Sequence, residues 1–363
     1  MKRKILPLVI AATAAGSYAG VASADAPTVY GKVNASLQKI KEDVYGDSNI
    51  DTYKLLSNAS RIGVKGSVDI NDNLKAVYKL EYELYVDANK QGDGGSDFGQ
   101  RNTYAGLQGG FGTLVFGRSD TPTKMAQGDV DRFNDLTYGD IKNVMAGENR
   151  ENNIIMYSAP KLADSIDITL AIMPGEQSGY SSPGQKNKDA DNGLADHISA
   201  AVSYDSDMLY AALAADRDVE HTDVTRLVGE FKGGSFKVGA IVQSAEEHDK
   251  GDGIKTGGWA GTDYYTSDIV WIKKQTAYVL NGQFSVSDDV VLKAQYGHAK
   301  NEYSDNLVNI KDTKVDQYAL GADYKLNKAA KLYAYYAAVD GKNKDVGDDS
   351  KDKTFGVGYE LKF

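Results

Sequence analysis

The chain has 363 residues, a formal net charge of −10 and no cysteine, with 24 tyrosines and 38 glycines. The missing cysteines exclude a disulfide framework and thiol chemistry, and the acidic balance argues against nucleic acid, which is bound by basic surfaces. Helix formers dominate no long window, so the composition points to one all-β domain with many turns.

Residues Met1 to Ala24 have a basic start (Lys2, Arg3, Lys4), an apolar stretch from Ile5 to Ala15, and the small residues Ala22-Ser23-Ala24 before Asp25. That pattern predicts a secretory signal peptide, residues 1–24, cleaved after Ala24. The remainder, residues 25–363, reads as one domain. It has no apolar run of the roughly 20 residues that a membrane-spanning helix needs.

Alternation with a period of two marks strands, because successive side chains point to opposite faces. Val29 to Leu37, Ile62 to Val68 and Leu74 to Leu84 are the first three runs. Thr103 to Leu107 and Thr113 to Phe116 follow, joined by the turn Gln108-Gly109-Gly110-Phe111-Gly112, a hairpin signal. Asn153 to Ala159 and Ile166 to Ile172 come next, then Ile198 to Tyr204, Leu209 to Ala215, Leu227 to Phe231 and Phe236 to Val242. Tyr278 to Phe284, Val290 to Tyr296, Tyr318 to Leu326, Leu332 to Tyr336 and Phe355 to Phe363 complete sixteen strands. Leu74 to Leu84 carries Lys75, Lys79, Glu81 and Glu83 on one face, too much charge for a dry core, so water must reach that face.

Connections that alternate between short turns and long loops, and an even number of strands, predict an antiparallel transmembrane barrel whose end strands pair. Closure is required there, since an open edge in lipid leaves unpaired peptide groups that cost several kcal/mol each. Tyr82, Tyr85, Tyr296, Tyr324 and Tyr359 are candidates for the aromatic girdles at the headgroups. The segment Ser119 to Asn149 is acidic, rich in Gly and Asn, and far longer than an ordinary connection. It is expected to fold into the lumen and narrow it.

Tyr30-Gly31-Lys32, Ser60-Arg61-Ile62-Gly63-Val64-Lys65-Gly66, the run GLQGGFGTLVFGR ending at Arg118, Asn149-Arg150 and the terminal Phe363, in this order behind a signal segment, resemble the Gram-negative general porins. That resemblance implies a sixteen-stranded barrel with short periplasmic turns, long extracellular loops and an inward-folded third loop. It also implies a homotrimer in the outer membrane, beside lipid and lipopolysaccharide, that passes small hydrophilic solutes and ions. Lys32, Arg61, Arg118 and Arg150 fall on positions of the family's basic cluster, with Arg101 beside them. The Pro-Glu-Phe-Gly-Gly loop motif of the enteric members is replaced near Arg132-Phe133-Asn134-Asp135. Asp129, Asp131 and Asp135 are therefore the candidate acids facing the basic wall, with Asp120 and Asp140 behind them. Phe363 is expected to mark the chain for the barrel-assembly machinery.

One conflict of parity stands out. Arg118 shares its face with Leu114 and Phe116 if the strand runs unbroken, so a bulge at Gly117 is expected to turn it inward. The acidic balance favours cations over anions in the pore. The four histidines lack metal-site spacing, and no nucleophile elbow or phosphate loop is present, so neither a cofactor, a metal nor an enzymatic activity is expected. A substrate-specific channel and a surface-binding barrel are the alternative readings.

Overall fold

The structure, a computed structural model, describes residues 26–43, 50–87, 98–176, 180–182, 185–186, 192–248, 254, 272–303, 313–343 and 348–363. The expected signal segment lies outside the described residues. The strands are β1 (Thr28–Glu42), β2 (Ile50–Ser57), β3 (Arg61–Asn71), β4 (Leu74–Leu84), β5 (Phe98–Gly109), β6 (Gly112–Asp120), β7 (Arg150–Ser158) and β8 (Ile166–Met173). They continue as β9 (Tyr180–Ser182), β10 (Gln185–Lys186), β11 (His197–Asp205), β12 (Leu209–Val219), β13 (Thr222–Gly233) and β14 (Phe236–Glu247). The last are β15 (Ile272–Ser285), β16 (Val290–Tyr303), β17 (Thr313–Lys325), β18 (Ala330–Asn343) and β19 (Asp348–Lys362).

β9 and β10 form a separate ribbon, and the other strands make one sheet. Within it β2 and β3 are two parts of one stave along β1, β2 facing Ala35 to Glu42 and β3 facing Thr28 to Lys32. The sheet therefore has sixteen staves. β1 also pairs with β19, from Lys32↔Lys362 to Lys41↔Lys353, so no edge remains. The chain is a closed antiparallel barrel.

The side chains are distributed inside out relative to a water-soluble fold. Leu37, Leu55, Leu213, Leu227, Leu280 and Leu320 are each more than half exposed on the outer surface. Gln38, Ser60, Gln243, Gln275 and Gln317 are buried inside. Tyr82, Tyr324 and Tyr359 stand outward as a girdle requires, whereas Tyr85 lines the interior, a departure from the expected set.

The strands extend beyond their apolar alternation at the long-loop end. β15 starts at Ile272 and β16 ends at Tyr303, and β2 occupies a stretch that the sequence pattern leaves as a loop. Above the lipid the outer face meets water, so polar residues sit on both faces while the hydrogen-bond ladder continues. One connection breaks the strict alternation of lengths: β12 and β13 meet through Glu220 and His221 alone, both with positive φ.

Residues 121–149 fold into the lumen, as expected for the third long connection. Thr121 caps the short helix α1 (Pro122–Met125), and Asp140 caps a 3-10 turn (Ile141–Asn143). Val130, Ile141, Val144, Met145 and Ala146 bury themselves against Val228, Ile241, Val279, Ala299, Val315 and Val339 of the inner wall. Where the loop covers it, the inner wall carries these apolar side chains between buried glutamines and Arg226.

Leu320→Arg, at the middle of β17 on the outer face, is expected to destabilise the barrel by about 2–4 kcal/mol in lipid vesicles, measured by reversible denaturant unfolding.

Candidate functional site

The loop is fastened to one side of the barrel. Gln243 on β14 donates to the Ala146 carbonyl at 2.9 Å, and Gln275 on β15 accepts from the Ala146 N–H at 3.0 Å. Gln295 on β16 donates to the Gly139 carbonyl and accepts from the Arg132 N–H. Gln317 on β17 donates to the carbonyls of Tyr138 and Asp140 at 2.9 and 2.8 Å. Loop peptide groups that no strand pairs are thus satisfied by amide side chains of four neighbouring strands. Phe133, fully buried, seats over Gly321, where an added Cβ would meet its ring at 2.9 Å.

Arg226 on β13 ties both ends of the loop together. Its guanidinium, fully buried, donates to the carbonyls of Thr123 and Ala146, to Gln243 Oε1 and to the Glu148 carboxylate at 2.6 Å. Burial raises the Glu148 carboxyl above its usual range, with Arg226 and Lys124 opposing. Arg132 makes a second buried ion pair, with Glu230 of β13.

On the other side, between the loop and strands β2 to β7, a cavity of about 870 Å³ stays open. Its walls carry Arg61, Arg101 and Arg150 from the barrel and Lys124 and Lys142 from the loop, interleaved with Glu83, Asp87, Asp120, Asp135, Asp140 and Glu148. Asp135 reaches across to Lys32 at 2.8 Å and to Arg61 at 3.8 Å. Burial works to raise the Asp135 carboxyl, but Lys32 and then Arg61 outweigh it and hold it below the usual carboxylate range. Arg150 pairs with Asp120 at 2.9 Å and donates to Asn102 at 2.9 Å.

The local geometry of this wall depends on two bulges. Between Leu80 and Tyr82 the β4–β5 register slips by one residue, so Arg101 and Asn102 both serve the interior. Arg101 is buried against Glu81 and Glu83, at 3.0 Å from each, while Asn102 donates to Asp120. The β6–β7 register slips between Gly117 and Ser119, with the extra residue on β7 near Asn153, whose φ is +54°.

This second bulge does not turn Arg118 inward, contrary to the expectation from sequence. The β5–β6 ladder runs unbroken to Thr103↔Arg118, which keeps Arg118 in the row of Leu114 and Phe116. Its guanidinium donates to Asn152 Oδ1 at 2.7 Å near the strand end, close enough to water for a charge to be tolerated. The structure brings together Lys32, Arg61, Arg101, Arg150, Asp120, Asp135 and Asp140 and leaves Arg118 apart.

Two of the expected loop acids have other positions. Asp131 is buried beneath the loop, where it accepts from Phe133 N, Ile141 N and Gln295 Nε2 and organises the turn. Burial first, and the neighbouring Asp140 second, raise its carboxyl above the usual range. Asp129 is exposed and makes no ion pair among the described residues. The sequence reading missed Glu81, Glu83, Lys142 and the glutamine row. The last had a signal: Gln243, Gln275, Gln295 and Gln317 recur on the inner faces of consecutive strands. Phe363 closes the barrel, its N–H and C=O both bonded to Gly31, and its ring lies where a Cβ on Gly31 would stand 2.4 Å away.

Arg226→Ala would leave the buried Glu148 carboxylate and the Thr123 carbonyl without their donor, and the Ala146 carbonyl with Gln243 alone, a cost of about 3–5 kcal/mol. The expected outcome is a lowered unfolding temperature with faster proteolysis between residues 121 and 149, while Glu148→Gln, which keeps a hydrogen-bond acceptor, has a smaller effect.

The family model described as "Gram-negative porin" matches residues 11–344. Outer membrane porin protein 32 of Delftia acidovorans is 25% identical, over 95% of this chain and 91% of that protein. Major outer membrane protein P.IB of Neisseria gonorrhoeae is 23% identical over 90% of each. Among solved structures, the anion-selective porin from Comamonas acidovorans superposes with a TM-score of 0.66 at 21% identity, covering 93% of this chain and 99% of that one. OmpF of Salmonella typhi, at 15% identity, gives 0.64 over 92% and 97%. A closed sixteen-stranded barrel with a wet, charged interior and a family match across most of its length identifies the chain as a member of the Gram-negative porins, integral outer-membrane barrels that form water-filled diffusion channels.

Proposed function

We propose that the opening between Asp135 and the Arg61–Arg101–Arg150 wall is the constriction through which small hydrophilic solutes and ions pass. One observation carries this reading: the loop is sealed by hydrogen bonds and apolar packing against β13 to β17, and the ion-lined cavity lies on the opposite side of it. Charges of both signs around a narrow opening in a low-dielectric tube orient water and favour polar solutes over apolar ones. The chain's net charge alone favours cations. The constriction itself is lined by five cationic and six acidic side chains, so its own preference between ions is weak. The membership of this family and an outer surface of apolar residues support assembly as a homotrimer in lipid. Outside, Lys314 faces Lys342 and Lys41 faces Lys353 at the long-loop end, a placement suited to the phosphates of lipopolysaccharide. Phe363, at the end of the closing strand, is the assembly signal in this reading.

The reading predicts single-channel conductance in threefold steps and a small reversal potential across a salt gradient. Asp135→Asn frees Lys32 and Arg61 and should shift that potential towards anions. An unshifted potential would remove Asp135 from the constriction. The pH dependence follows from the lowered Asp135 carboxyl: its ion pairs are intact above the ordinary value of 3.8 and are lost as pH falls through the lower folded value. Conductance governed by this contact is therefore constant from neutral pH down to about 4 and changes only below it.

A further inference from the structure

A second cavity, of about 470 Å³, lies in the lumen at the short-turn end, lined by residues of β3 to β7 and by Ala26 and Thr28. Lys65 and Lys79 line it, and no carboxylate does. The two lysines are direct cross-strand neighbours on β3 and β4, an arrangement that like charges make unfavourable. Lys79 is only partly compensated, 3.6 Å from Glu81, and Lys65 has no carboxylate partner among the described residues. Both ammonium groups instead lie over the ring of Tyr30, at 5.5 and 5.8 Å from its centroid. That ring is held in place: its hydroxyl donates to Glu81 at 2.9 Å, and it occupies the space above Gly63, where a Cβ would meet it at 2.4 Å.

The rest of the lining is divided. Ser67, Gln108, Thr113 and Ser158 supply neutral hydrogen-bonding groups, while Val77, Val115, Met156 and the Tyr104 ring form a continuous apolar face. Tyr104 stands directly opposite Lys79 in the β4–β5 ladder, which places the aromatic surface beside the cations. A solvated lumen wall needs neither the only partly compensated lysine pair nor the apolar face. An anion with a flat apolar body uses both.

We infer that this vestibule is a binding site for small aromatic carboxylates, with the carboxylate at Lys65 and Lys79 and the ring against Val77, Val115, Met156 and Tyr104. The site is separate from the constriction and adds a solute preference to a pore whose opening discriminates little by charge. The ligand would dwell in the lumen and interrupt the ion current.

The test is benzoate added on the short-turn side of the intact channel in a planar bilayer, with acetate and benzamide as probes lacking the ring and the charge. Benzoate is expected to cause resolvable interruptions, acetate and benzamide few. Lys65→Gln with Lys79→Gln is expected to weaken the benzoate effect at least about fivefold. Asp135→Asn, which alters the constriction, is expected to leave it in place, and the open-channel conductance of the lysine variant reports that the barrel has folded. Absence of interruptions, equal effects of acetate and benzoate, or an undiminished effect in the lysine variant would each overturn the inference.

Discussion

A peptide group in hydrocarbon has no water to bond, and this constraint shapes the molecule from its closing seam inward. β1 and β19 pair over ten residues and remove the only edges the main sheet would have had. Closure encloses a space too wide for side chains alone to fill. The same rule then applies to any segment placed inside that space, because a loop pressed against the wall also loses water from its peptide groups.

The chain satisfies the loop in two ways on one side. Apolar residues of the loop dock on an inner wall of Val, Ile and Ala, and the peptide groups left over meet glutamine amides or the Arg226 guanidinium. Amides carry no charge, so this attachment needs few buried ions among the described residues: Arg226 with Glu148, Arg132 with Glu230, and Lys293, which pairs with Asp323 and donates to the Arg132 carbonyl. On the other side ions dominate, and water takes the place of packing. The contrast between a dry, amide-bonded side and a wet, ionic one leaves the opening against β2 to β7.

Much of the barrel was legible in the sequence because alternation is a local consequence of strand geometry. The inward loop was legible from its length. The long-loop ends of β12, β13, β15 and β16 were not, since alternation of apolar and polar residues fades where both faces meet water although the ladder continues. Within the site, Lys32 and Arg61 lie on strands of regular parity, whereas Arg150 precedes the bulge near Asn153 and was readable through the family resemblance. Arg101 and Asn102 face inward through a bulge that leaves no mark in composition, and Arg118 stays outward because the bulge expected to turn it acts on the neighbouring ladder. Asp131 and Asp129 could not be told from Asp135 by residue type. Burial separates them, and burial is decided by contacts with strands more than 100 residues away.

The most direct test of the central claim uses the fact that the chain has no cysteine. Asn134→Cys places a thiol on an exposed loop residue that lines the opening beside Asp135. Single-channel current would be followed while a bulky, charged thiol reagent is added. The account predicts a sharp drop in conductance upon modification. Full modification with unchanged conductance would mean that ions cross the barrel elsewhere, and that the opening beside Asp135 is not the constriction.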